Sequence, residues 1–164
     1  MKLIYLIKDN KKDIMTCLRS NTIYNKLSNE DINESDAEEM LTCHPTNTNI
    51  KQKVLLGASV DNICIGIADV IYDYPEKKYG FIGLLMIHQE LHGNHYGETF
   101  YKLIEKLLIE KGMDRIHLGV LLQNEKGYLF WKKQGFKTIE IRKRKDTSLD
   151  IDVYYMEKKL KTLE

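Results

Sequence analysis

Ile87-His88-Gln89-Glu90-Leu91-His92-Gly93-Asn94-His95-Tyr96-Gly97 joins an apolar strand to an amphipathic helix, and its reading decides the fold. Upstream, Tyr79-Gly-Phe-Ile-Gly-Leu-Leu-Met-Ile87 has the composition of a buried strand. Downstream, Phe100, Leu103, Ile104, Leu107 and Leu108 recur at helical spacing, with Lys102, Glu105, Lys106 and Glu110 opposite them and Gly112 as a stop. Between the two, Gly93 and Gly97 permit a tight turn and close approach of a ligand to the backbone. The helix then aims its unpaired N–H groups and positive dipole end at that turn, which makes an anion site suited to phosphate or pyrophosphate.

A second segment lies at a matching distance. Ile116-His-Leu-Gly-Val-Leu-Leu122 reads as another strand, followed by Gln123-Asn124, a short helix carrying Tyr128, Phe130 and Trp131, and then Gly135-Phe136. Together the two segments resemble the GNAT superfamily of N-acetyltransferases, over roughly residues 80 to 137. Asn124-Glu-Lys-Gly-Tyr-Leu-Phe-Trp-Lys-Lys-Gln-Gly135-Phe136 matches its second motif closely. The first motif matches in length and layout but departs in detail. His92 stands where Arg or Gln is usual, and His95 replaces the usual middle glycine.

The remaining chain gives a consistent order of elements. A strand is expected over Leu3–Ile7, a helix over Asp9–Arg19, and a short helical piece over Asn21–Leu27. Ser35-Asp-Ala-Glu38 has the pattern of a capping box opening a helix through Leu41, and a loop follows from Pro45. Strands over Val54–Val60, Ile63–Tyr72 and Tyr79–Ile87 form an antiparallel meander. Phe136–Arg142 and Val153–Lys158 are the last two strands. The expected fold class is α/β (α+β): one GNAT-like domain over residues 1–164, with a mixed central sheet of six to seven strands and helices on both faces. Within it, residues 1–50 supply a strand and the acceptor-side helices, 51–137 the cofactor-binding core, and 138–164 a strand pair.

Length and composition agree. At 164 residues the chain suits one sizeable core and is short for two ordinary domains. It holds no apolar run near the roughly 18 residues that span a membrane, and the start has no signal-peptide pattern. Cys17, Cys43 and Cys64 lack metal-ligand spacing and read as reduced thiols of a cytoplasmic protein. The five histidines share no ligand spacing with them, so no metal is expected. The formal net charge is +1, unevenly spread. Six acidic residues fall between Glu30 and Glu39, and Lys132 to Lys145 is basic, densest at Arg142-Lys-Arg-Lys145. That cluster lacks interleaved aromatics, so a nucleic-acid partner is not expected, nor a membrane; a homodimer remains open.

The resemblance implies acetyl-CoA as cosubstrate and an amine that attacks the thioester directly. It assigns the pyrophosphate cradle to the backbone of His92, Gly93, Asn94, His95, Tyr96 and Gly97, with Glu98 opening the helix. It implies that the strand before the turn opens from its neighbour and pairs with the pantetheine arm through Met86, Ile87 and His88. Asn124 falls on a family Asn that bonds the arm; it also suits the cap of the following helix. His92 adds charge only when protonated.

The proton chemistry is less determined. Trp131 occupies the position of the tyrosine that acts as general acid in many members, and Tyr128 lies three residues earlier on the same helix face. No carboxylate lies between Gly80 and Ile87, so the base is sought among Asp69, Asp73, Glu90 and His88. Asp69, amid Ile65, Ile67, Val70 and Ile71, is the most suggestive, against the alternative of an outward-facing or hydrogen-bonded Asp. The acidic run places Glu34, Asp36, Glu38 and Glu39 in the part of the chain expected to wall the acceptor site, which points to a cationic small molecule or peptide amine. Two other readings stay open: a catalytically silent acyl-CoA-binding module, and a phosphate- or nucleic-acid-binding domain that shares only the glycine turn.

Overall fold

The computed structural model describes residues 1–143 and 152–161. It contains seven strands, β1 (Lys2–Tyr5), β2 (Lys53–Val60), β3 (Ile63–Ile71), β4 (Tyr79–Ile87), β5 (Arg115–Leu121), β6 (Lys137–Lys143) and β7 (Asp152–Lys159). Five helices accompany them: α1 (Lys11–Ser20), α2 (Thr22–Ser28), α3 (Asp36–Thr42), α4 (Tyr96–Glu110) and α5 (Glu125–Lys133). The strands form one sheet in the order β1-β2-β3-β4-β5-β7-β6. Only the β4–β5 pair is parallel; the other five pairs are antiparallel. The expected class of mixed sheet with helices on both faces is therefore found.

Alternation along the strands sorts side chains to two cores. On one face Ala68, Val70, Ile82, Ile116, Leu118 and Met156 pack under α4 and α5. On the other, Leu55, Ile67 and Met86 pack under α1 and α3. Helix α4 buries Phe100, Tyr101, Ile104 and Leu108, and full burial of each large apolar side chain is worth roughly 1.5–3 kcal/mol. It ends as expected at Gly112, whose φ of +79° lets Gly112 and Met113 donate back to Ile109 and Leu108. Trp131 meets Tyr101 and Phe136 edge to face, with centroids 5.3 and 5.2 Å apart, and so fastens α5 to α4.

Three local details differ from expectation. The Ser35 hydroxyl does not cap α3. It bonds Asn33 and Glu39, while Asp36 accepts from the Asn33 N–H at 2.7 Å, so the turn closes two residues earlier on Asn33. Lys8–Asn10 forms a separate 3-10 turn before α1, closed by the Asn10 side-chain oxygen accepting from Ile7 N–H. The stretch after Pro45 contains a 3-10 turn at Ile50–Gln52, held by a reciprocal Asn49–Gln52 pair. Part of the basic cluster, Arg144 and Lys145, lies outside the described residues.

A candidate cofactor and acceptor cleft

The sheet parts in its middle. Strands β4 and β5 pair only from Tyr79–Ile82 against Arg115–Leu118, and beyond that point they separate. The next residues are Gly83 and Gly119, both exposed. At Gly83 the β3–β4 register also shifts, as a strand glycine suited to a bulge predicts. A cleft of about 490 Å³ occupies the parting. It is lined on one side of the sheet by the α4 and α5 ends and on the other by α2, so it passes through the sheet.

The α4 mouth is built as an anion site. Gly93 takes φ +84° and His95 φ +60°, and the chain then enters α4 with its first N–H groups facing the turn. The strain at His95, a non-glycine in the left-handed region, is where glycine is usual in the resembling family. Glu98 does not crowd this mouth as a lone negative charge. Lys133 on α5 reaches its carboxylate at 3.3 Å and His95 at 3.5 Å, and the Lys133 hydrogen bond holds the carboxyl below its ordinary range. Lys126 and Lys133 both line the cleft, a source of positive charge that the two motifs did not suggest.

Placement of the expected cofactor residues is uneven. Met86, Ile87, His92, Gly93, His95 and Gly97 line the cleft, as do Glu98, Asn124 and Trp131. His88, Asn94 and Tyr96 are not among the lining residues. His92 turns its ring back: Nε2 donates to the Ile87 carbonyl at 2.9 Å, which fixes the tautomer and clips the turn to the strand end. Asn94 likewise closes the turn by donating to Leu91. Asn124 caps α5, its Oδ1 accepting from Gly127 N–H at 3.0 Å.

Of the three β4 residues expected to offer backbone groups to the gap, Ile87 does so and Met86 and His88 do not. The His88 N–H is bonded to Ile65 on β3 at 2.9 Å. Antiparallel pairing alternates, so Met86 also faces β3, and Leu85 and Ile87 face the parted side. The Ile87 carbonyl already accepts from His92 and from Asn21 Nδ2, the latter at 3.0 Å. Asn21 is buried and links the α1–α2 junction to the end of β4. Gln89 adds a second link, accepting from the Ile23 N–H at the start of α2. Neither residue stood out in the sequence, because both act on backbone groups distant along the chain.

The proton-handling candidates separate. Tyr128 is not in the cleft lining; its ring packs on Tyr154 of β7, centroids 4.5 Å apart. Trp131 borders the cleft but is held in the aromatic cluster, and an indole N–H has no proton to give at neutral pH. Asp69 lies on β3 behind Gly83 and is not itself among the lining residues. A Cβ on Gly83 would stand 2.9 Å from its Oδ2. Its other oxygen takes a hydrogen bond from Lys53 Nζ, whose side chain is 2% exposed. Burial pushes the Asp69 carboxyl above its ordinary range, and the Lys53 cation opposes that rise. His88 Nε2 is buried without a hydrogen-bond partner, and neither Asp73 nor Glu90 is among the lining residues.

The acidic run is placed elsewhere. Glu34 pairs with Arg19, Glu38 with Lys11, and Glu39 accepts from Ser35, while Asp36 closes the turn on Asn33. None of the four lines the cleft. Only Glu38 ties α3 to α1, through Lys11, and the wall of the cleft on that side is formed by α2 residues instead. Among the described residues, no cluster of His, Cys, Asp or Glu is arranged to hold a metal, and no helix is long and apolar enough to cross a membrane.

Comparison with known proteins agrees with this geometry. No curated protein sequence matches the chain. The fold is similar to that of the ribosomal-protein-S18-alanine N-acetyltransferase from Escherichia coli, with a TM-score of 0.74 at 10% identity over 99% of this chain and 96% of that one. It is also similar to an acetyltransferase from Thermus thermophilus, with a TM-score of 0.76 at 16% identity over 97% and 96% of the two chains. An aminoglycoside 6'-N-acetyltransferase complexed with coenzyme A aligns with a TM-score of 0.68 at 16% identity over 97% of each chain. Residues 21–136 match the model of the acetyltransferase (GNAT) family. With the parted strands, the glycine turn and the Asn124 cap all inside that span, the chain belongs to the acetyltransferase (GNAT) family, whose enzymes use acetyl-CoA.

Proposed function

We propose that the protein is an N-acetyltransferase that moves an acetyl group from acetyl-CoA to a primary amine by direct attack within a ternary complex. The observation that carries this reading is the cleft through the sheet, which joins an anion cradle on one face to a separate mouth beside α2 on the other. Such a passage lets two substrates approach one point from opposite sides, which lowers the entropic barrier to their meeting.

The residues present fit the cosubstrate. The N–H groups at the start of α4 and the turn from His92 to Gly97 suit a pyrophosphate, with Lys126 and Lys133 adding positive charge. Leu85, and Ile87 through its N–H, offer backbone groups to an amide-bearing arm lying in the gap as an added strand. The Asn124 amide, with its oxygen committed to the helix cap, keeps its N–H2 donors for the same arm.

Acetyl-CoA supplies a thioester carbonyl as electrophile and a thiolate of pKa near ~8.5 as leaving group. The amine arrives as an ammonium of pKa near ~10.4 and has to lose a proton before it attacks. Asp69 is the base we assign, because its Oδ2 faces Gly83 of the lining and burial raises its carboxyl above the ordinary range. No general acid is assigned. Tyr128 faces Tyr154, Trp131 holds its proton, and a thiolate of that pKa departs without assistance.

Trp131 at the usual tyrosine position also favours a second reading, a silent acyl-CoA-binding module. One experiment separates the two. Acetyl-CoA is titrated calorimetrically, with ATP and dephospho-CoA as controls, and free thiol release is then followed with a mixture of primary amines. Selective micromolar binding, lost in Gly97→Glu, together with amine-dependent thiol release is the expected result. Binding without release with any amine would leave the sensor reading, and no binding by folded protein would end both.

A further inference from the structure

Charge is distributed across the cleft in a way that bears on the acceptor. Glu98, Lys126 and Lys133, with the titratable His92 and His95, line the α4–α5 side. The α2 side is lined by Asn21, Ile23, Tyr24 and Leu27, none of which is charged. Leu84 adds to that wall from β4, packing with the α1–α3 face, and alternation puts Leu121 of β5 there too. Ile23 is 59% exposed, so an apolar side chain stands at the rim of this mouth. A surface of that kind gains by covering apolar area, and its residues carry no negative charge for a second or third cation.

The Asp69 carboxylate stands behind Gly83, outside the lining, and one of its oxygens is already taken by Lys53, so it has one oxygen left for an incoming amine. The residues expected to draw a polycation, Glu34, Asp36, Glu38 and Glu39, are engaged by α1 and by their own turn.

From this we infer that the acceptor is a monoamine carried on an apolar or aromatic body, entering beside α2 and laying that body against Ile23, Tyr24, Leu27 and Leu84. The inference rests on the acetyltransfer reading for its chemistry, but the binding surface it names is testable without turnover.

The test uses the full-length protein in two arms. In the first, kcat/KM is measured with phenethylamine, spermidine and kanamycin at saturating acetyl-CoA. Phenethylamine is expected to exceed both others by at least ~10-fold, since each ~10-fold corresponds to one modest buried apolar group. In the second, binding of the same amines to the protein saturated with CoA is followed by calorimetry. Ile23→Glu and Leu27→Glu should each weaken phenethylamine by about 10-fold or more while leaving acetyl-CoA affinity within about twofold, which also reports that the variants fold. The exposed position of Ile23 makes its variant the safer of the two.

Preference for spermidine or kanamycin in either arm would overturn the inference. So would phenethylamine binding that is indifferent to both substitutions, or no amine binding to the CoA-loaded protein. Phenethylamine binding that depends on Ile23 and Leu27 but gives no thiol release would uphold the surface and sink the transfer reading alone.

Discussion

Replacing Lys53 by methionine removes the cation that Asp69 faces and keeps an unbranched side chain in its place. In the parent, burial raises the Asp69 carboxyl and the Lys53 ammonium opposes it. Without that opposition the carboxyl rises further, and the folded variant takes up a proton. Leaving the charge buried and unpaired costs about 3–5 kcal/mol. Protonating a carboxyl of ordinary pKa ~3.9 at pH 7 costs about 4 kcal/mol, at 1.36 kcal/mol per pH unit. The two routes give the same ceiling, so Lys53→Met should lose up to about 4 kcal/mol at pH 7. The sign follows from proton counting: the folded variant holds a proton that the unfolded chain has released, so its stability falls as pH rises above the unfolded pKa. The deficit should therefore shrink by up to about 1.4 kcal/mol per unit on acidification, to about 1.5 kcal/mol at pH 5. Urea unfolding of both proteins at pH 5, 6 and 7 measures it. A deficit that stays constant across this range would show that Lys53 acts by packing and would refute the electrostatic account.

Asn124→Ala removes the oxygen that caps Gly127, and thermal unfolding should show a loss of about 1 kcal/mol, or roughly 2–4 °C in Tm. Lys133→Ala leaves Glu98 uncompensated at the phosphate mouth, so calorimetry should find acetyl-CoA bound about 10-fold more weakly, with recovery in Lys133→Ala/Glu98→Gln. Trp131→Tyr offers the departing thiolate a proton it does not need; kcat between pH 7 and 8 should stay within about threefold, and a much larger rise would show that leaving-group protonation limits the reaction. Mass spectrometry after iodoacetamide treatment at pH 8 should find Cys43 alkylated, because it is exposed, and Cys17 untouched, because burial pushes its thiol up to about 12.

The sheet order and the two motifs were legible because their signals are local. Apolar runs mark β4 and β5, a 3.6-residue period marks α4, and glycines punctuate the turns. What escaped reading depends on register and packing. Lys53 finds Asp69 across the β2–β3 hairpin, sixteen residues away, where pairing rather than sequence distance decides who meets. Gly83 marks the place of a bulge in the sequence, but which β4 backbone groups face the gap beyond it depends on how the strand pairs with β3, which alternation alone does not give. The acidic run was legible as charge but not as destination. Its partners Arg19 and Lys11 lie on a helix whose docking angle no periodicity records. Ile23 and Leu27 gave no signal, since apolar residues on a short helix read as ordinary core.

The parting of β4 from β5 gives this sheet an edge in its interior. Outer edges invite a second chain to pair and are a hazard in solution. An interior edge is shielded by its own sheet, so only something as narrow as a single extended chain can enter. Recognition there is by main-chain groups, which every residue but proline supplies alike. A site written in backbone constrains few side chains, and the residues around it are free to diverge. That freedom is in keeping with a fold held in common by chains that agree at only 10 to 16% of positions.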